Sequence, residues 1–132
     1  MSVVLILGVV LALLAAAVHG YIFWLESIAW RGPRARRIFG TSAEEARITA
    51  PLALNQGFYN LFLAVATVLG VVLLATGATA AGATAVLIGT GSMLAASLVL
   101  VVSDRTKARA AAVQGILPAA AVLLLAIGLA QR

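Results

Sequence analysis

The chain has 132 residues, of which 64% are hydrophobic and 10% charged, with nine Lys+Arg against four Asp+Glu for a net charge of +5. Soluble domains are about 45–50% apolar and about 25% charged, so this composition, with its mean hydropathy of +1.14, excludes a water-soluble domain and a disordered chain. There is no cysteine and a single histidine, His19. Disulfides, thiolate nucleophiles, iron–sulfur clusters and a multi-histidine metal site within one protomer are therefore excluded, and neither a metal nor a resident cofactor is expected.

Four apolar runs predict four spanning helices, over about residues 3–30, 51–75, 83–103 and 108–130. Each can cross a hydrocarbon core of about 30 Å at about 1.5 Å per residue. Helices are the only conformation open to such runs, because lipid satisfies no exposed backbone group, and a membrane β-barrel would need polar residues in alternation. The fold class is an all-α, integral-membrane four-helix bundle forming one transmembrane domain over residues 1–132. The first run is not a cleavable signal peptide, since its basic residues follow the apolar stretch instead of preceding it.

The loop over residues 31–50 has room for a short interfacial helix. Within it Ser42-Ala43-Glu44-Glu45 has the spacing of a capping box, and Pro51 suits the first turn of the second spanning helix. The break Thr76–Gly82 is uncharged, and the turn before the last run is Asp104-Arg105-Thr106-Lys107. No internal repeat is evident. The third run carries Gly82, Gly89, Gly91, Ala95, Ala96 and Ser97, small residues that permit close helix packing and offer a face for a homo-oligomer.

Charge sets the expected orientation. The first loop holds Arg31, Arg34, Arg36, Arg37 and Arg47, the third Arg105, Lys107 and Arg109, and the second none. The positive-inside rule places the first and third loops in the cytoplasm and both termini outside, in the inner (plasma) membrane. The loop arginines then face anionic headgroups, so membrane lipid is the expected partner. Nucleic acid is not, because the basic residues lack aromatic interleaving and an extended patch.

Depth follows from counting inward from Trp30, Ala50 and Ala108. Glu26 falls about 6 Å deep, Asn55, Gln56 and Gln114 about 8–9 Å, Tyr59 and Asn60 about 14–15 Å, and His19 about 16 Å. The polar side chains thus gather in the cytoplasmic half, as a shallow layer of Glu26, Asn55, Gln56 and Gln114 and a deeper one of His19, Tyr59 and Asn60. His19 and Glu26, seven apart, share a helix face with Phe23 and Trp30, and Asn55/Tyr59 and Gln56/Asn60 make one stripe at i,i+4 spacing. Polar groups in a membrane normally point inward, so the two faces should meet across a pocket. Each residue also has a plainer reading: amides as interhelical glue, Trp30 and Tyr59 as interface anchors, and His19 as a satisfied core residue.

The string Asn55-Gln56-Gly57-Phe58-Tyr59-Asn60 is distinctive, as are His19 followed by Glu26 and Trp30, Ile38-Phe39-Gly40, and Gln114 followed by Pro118. Together they resemble the domain of unknown function 1304 family of small four-helix bacterial integral membrane proteins, over nearly the whole chain. The resemblance implies that His19, Glu26, Asn55, Gln56, Tyr59, Asn60, Gln114 and Pro118 belong to the family's motif set. It carries no activity. At Val102-Ser103-Asp104 the chain departs from the family pattern, so no role passes to Asp104.

Three functions remain open. The first is a pocket that binds a small lipophilic or amphipathic molecule, or acts on it by acid–base chemistry. His19 and Glu26 would be its catalytic pair, with Asn55, Gln56, Tyr59, Asn60, Gln114, Phe23 and Trp30 contacting the ligand. The second is a small proton-coupled transporter, and the third a structural subunit of a larger membrane complex.

Overall fold

The computed structural model describes residues Ser2–Gln131, and all regular structure among them is helical. Helix α1 (Val3–Phe23) runs into a π-helical turn (Trp24–Ile28), followed by a short α2 (Pro33–Phe39), a long α3 (Ala43–Ala75), α4 (Thr79–Ser103), a 3-10 turn (Arg105–Lys107) and α5 (Ala108–Ala130). Four helical segments are long and apolar enough to cross a membrane: Val3–Ile28, Ala43–Ala75, Thr79–Ser103 and Arg105–Ala130.

The helix ends have local causes. Gly40 and Gly77 take positive φ, 67° and 89°, which costs glycine nothing and other residues much. Each closes a Schellman-type cap: Thr41 N–H donates to the Arg36 carbonyl, and Ala78 N–H to the Leu73 carbonyl. The second cap reduces the α3–α4 connection to Thr76, Gly77 and Ala78, and α4 begins at Thr79, four residues before the expected boundary. Ser42 and Glu45 do form a capping box: Ser42 N–H donates to Glu45 Oε2 at 2.7 Å and Glu45 N–H to Ser42 Oγ at 3.1 Å. That box starts α3 itself, eight residues before the expected start at Pro51, so Pro51 lies inside the helix and leaves the Arg47 carbonyl without its helical donor. The short helix of the loop is α2, which ends before the box. Asp104 accepts from Thr106 N–H at 2.9 Å and Thr106 Oγ1 at 2.6 Å. Hydrogen bonding by Thr106 holds the Asp104 carboxyl below its usual range, with Lys107 assisting.

The chain separates into two compact units. One comprises residues up to Val18 and from Leu63 onward, the other His19–Phe62. In the first unit the helices meet where glycine removes a side chain. A Cβ on Gly70 would collide with the backbone of Val86, one on Gly82 with Leu74, one on Gly89 with Thr67, one on Gly115 with Ser97, one on Gly8 with Leu125 and one on Gly128 with Leu5. The α3–α4 and α1–α5 pairs are antiparallel, as the pairing of rising with falling numbers shows, and Leu5, Ala12, Leu74, Val86, Ala121 and Leu125 pack together in a core. Gly82 and Gly89, expected to offer a face for a second copy, are spent on α3. Hydroxyls here turn back on their own helices: Thr67 Oγ1 donates to the Leu63 carbonyl, Thr90 Oγ1 to Val86 and Ser97 Oγ to Leu94. This satisfies them without water.

Substitution of Gly70 by alanine should therefore destabilise the protein by about 1–3 kcal/mol. Gly91→Ala, where a Cβ meets nothing within 4 Å, should be neutral or stabilise by up to about 1 kcal/mol through helix propensity. Unfolding of the two variants by denaturant in detergent micelles measures the contrast.

Candidate functional site

The second unit contains most of the sequence-selected residues. Its organising feature is the π-helical turn Trp24–Ile28, in which Ala29 N–H reaches back five residues to the Trp24 carbonyl at 2.9 Å. Such turns insert an extra residue into a helix and are frequent at functional sites. Here the insertion shifts Glu26 and Ser27 relative to His19, so the seven-residue count no longer puts His19 and Glu26 at one angle. His19 is 2% exposed, and Leu25 is the buried residue of the turn.

The turn packs on α3 at Gly57. A Cβ there would overlap the Ser27 hydroxyl and press on the backbone of Ser27 and the Cβ of Glu26. That space lets Ser27 Oγ donate to the Leu54 carbonyl at 3.1 Å. One turn further along α3, Asn60 Nδ2 donates to Glu26 Oε2 at 2.8 Å and to the Gln56 carbonyl at 3.2 Å. Asn60 is 8% exposed and Glu26 half-buried. The carboxyl is thus held by a carboxamide that its own helix also anchors, which fixes the orientation of Glu26.

This pairing corrects the two-layer expectation. Glu26 was placed in the shallow layer and Asn60 in the deep one, yet they bond, because a glutamate side chain spans the single turn between Gly57 and Asn60. The single stripe on α3 also divides. Ala53, Gly57 and Asn60 form the buried face, whereas Asn55, Gln56 and Tyr59 are exposed, Tyr59 by 57%. At 100° per residue, Asn55 and Tyr59 lie off the Gly57–Asn60 face, so i,i+4 spacing alone did not establish that they point inward.

The same unit carries several aromatic contacts. Phe23 meets Phe58 edge to face, ring centres 5.2 Å apart, and Phe58 meets Phe62 at 6.1 Å. Trp30 packs on Phe39 at 5.0 Å and donates from Nε1 to Thr49 Oγ1 at 3.1 Å, while Thr49 donates to the Glu45 carbonyl at 2.7 Å. Trp30 thereby ties α2 to the start of α3. Gln114 lies in the other unit, half-buried, four residues before the fully buried Pro118. Pro118 lies inside α5 and has no N–H to return to the Gln114 carbonyl. An apolar groove of about 530 Å³ in the first unit is lined by Leu13, Ala16, Ala64, Val65, Val68 and Leu69 among others, and by none of the sequence-selected residues.

Sequence reasoning missed Ser27, Thr49 and the role of Gly57. The glycine carried a signal, since it interrupts a helix between two amides, where close backbone approach is its commonest use. The π turn carried none. Among the described residues no group of three or more His, Asp or Glu could hold a metal ion.

The contact at Gly57 yields a double-mutant test. Gly57→Ala should cost about 1–3 kcal/mol, and Ser27→Ala in the same chain should recover part of that loss by removing the colliding hydroxyl. Additive effects of the two substitutions, measured by thermal unfolding in detergent, would contradict the contact.

The family model described as "Protein of unknown function (DUF1304)" matches residues 13–126. No curated protein matches the chain, and no solved structure does.

Proposed function

The chain belongs to the DUF1304 family, and from that premise and the geometry of the second unit we propose that it is a multi-pass protein of the inner membrane, built as a four-helix bundle, whose Glu26–Asn60 pair is the polar centre of a binding site for a small lipophilic or amphipathic molecule. The observation that carries this reading is the Asn60 Nδ2–Glu26 Oε2 hydrogen bond at 2.8 Å. A carboxyl held among apolar and aromatic side chains is costly and needs a reason to be there. A simple interhelical clamp could use a neutral pair such as Ser27 and Leu54, which the same interface already contains.

In this reading Glu26 holds or delivers a proton at Oε, Asn60 orients it, and Phe23, Phe58 and Trp30 wall the site. His19, buried in the same unit, is the second acid–base group. Of the exposed polar residues of α3, Gln56, which neighbours Asn60 around the helix, serves as a polar group at the mouth of the site. Transport would need a polar path across the whole membrane. The buried hydroxyls of the first unit are instead satisfied by their own helices, so binding or acid–base chemistry is the better-supported reading.

The loop charges support a cytoplasmic first loop and external termini. Since the chain has no cysteine, single cysteines report topology without background. In intact cells a membrane-impermeant maleimide should label Thr79→Cys and spare Arg37→Cys, and the reverse pattern would invert the orientation. For the site itself, quenching of tryptophan fluorescence by decylubiquinone and by brominated fatty acid tests two lipophilic classes. Saturable quenching is expected for at least one, with Glu26→Gln or Asn60→Leu weakening it by about ten-fold or more, the worth of one hydrogen bond to a charged group. Equal affinity in wild type and both variants would overturn the reading.

A further inference from the structure

The second unit carries a charge imbalance that its own structure does not offset. Arg31, Arg34, Arg36 and Arg37 lie within seven residues, on α2 and the turn before it. Glu44 is engaged by Arg47 at 2.6 Å, and Glu45 is engaged by the Ser42 cap. No carboxylate is left in this unit for the four arginines except Glu26, which Asn60 holds.

These arginines are also mounted on a fixed element. Ala35 of α2 is fully buried, Phe39 is packed on Trp30, Trp30 is hydrogen-bonded to Thr49, and Gly40 caps the helix. Around the buried Ala35, Arg34 and Arg37 project from exposed positions, and Ile38, 52% exposed, lies on the Arg34 side at i,i+4. Ile28, 68% exposed, stands just before the segment. The Arg36 Nε and the Thr41 hydroxyl are buried and make no hydrogen bond, so the guanidinium sits where its donors are not fully used. Finally, Trp30, which packs on Phe39 of α2, is of the residue type that stands at a membrane–water interface.

We propose that α2 and the turn before it form a seat for the phosphate of an anionic phospholipid, with Arg34 and Arg37 gripping the phosphate oxygens, Arg31 and Arg36 closing the field around them, and Ile28 and Ile38 lying on the acyl chains. Guanidinium groups suit this because their forked donors match phosphate oxygens in pairs. Apolar side chains beside them match a ligand whose charge and tail are joined. An aqueous anion offers nothing to Ile28 and Ile38, which is why the lipid is the favoured source. The seat shares no residue with the Glu26–Asn60 pair, so either proposal can fail alone.

The test uses the full chain with Trp24→Phe, leaving Trp30 as the sole fluorophore beside α2. In mixed micelles, brominated phosphatidylglycerol should quench Trp30 in preference to brominated phosphatidylcholine by about ten-fold or more. Arg34→Gln and Arg37→Gln should each reduce that preference about five-fold, the worth of one basic residue at an anionic surface, with helix content by circular dichroism unchanged. Arg34→Lys with Arg37→Lys should lose part of it, since lysine keeps charge but not the fork. Equal quenching by the two lipids, full preference retained in the arginine-to-glutamine variants, or full preference retained in the double lysine variant would each overturn the seat. Displacement of phosphatidylglycerol by millimolar inorganic phosphate would overturn the lipid as its source.

Discussion

How near two helices can come depends on what stands between their backbones, and in this protein that is often a single hydrogen. Gly70 against Val86, Gly82 against Leu74, Gly128 against Leu5 and Gly57 against Ser27 are all positions where a methyl group would collide. In an apolar environment helices gain little from hiding hydrophobic surface, since the surroundings are as apolar as the side chains. Association falls to van der Waals packing and hydrogen bonds, both of which need short range. The glycines supply that range. In the first unit it brings the leucine and valine side chains into contact. In the second it brings a serine hydroxyl to a carbonyl and, one turn on, a carboxyl to a carboxamide.

The two units use this closeness differently. The buried polar groups of the first unit are hydroxyls that answer to the carbonyl three or four residues back, so they make no demand on neighbouring helices. Polar groups of the second unit reach across from one helix to another, through Ser27 to Leu54, Trp30 to Thr49 and Asn60 to Glu26. Cross-helix bonds of this kind fix register and orientation more than they add stability. The carboxyl of Glu26 is kept in one orientation by such a bond, from a carboxamide on the facing helix.

The helical fold was legible because composition and run length leave an apolar chain of this size few alternatives. The four spans appear as four long apolar helices, and the last one has the expected bounds, Ala108–Ala130. Boundaries were less legible where polar residues continue a helix beyond its apolar stretch. The capping box at Ser42 does start a helix, but the long α3 and not the short loop helix to which it was assigned, because Pro51 drew the boundary of the long helix to itself, proline being commonest in a first turn. In the site, Glu26 and Asn60 were both selected, but their pairing was not. It depends on the π turn, which has no sequence signature, and on the reach of a glutamate side chain, which counting residues along an axis ignores. Asn55 and Tyr59 show the complementary error, since two polar residues at helical spacing share a face without that face being the inner one.

The order in which these contacts can form differs along the chain. The helices that carry Leu74 and Gly82 are joined by a three-residue turn, so α3 and α4 can zip together as soon as both exist, at little cost in loop closure. The seam between α1 and α5 is the opposite case, because Leu5 finds its place against Gly128, near the far end of the sequence. During synthesis the first helix must therefore wait, its small-residue face uncovered, until the last one has been made. Closure of that seam is the non-local, late step of assembly.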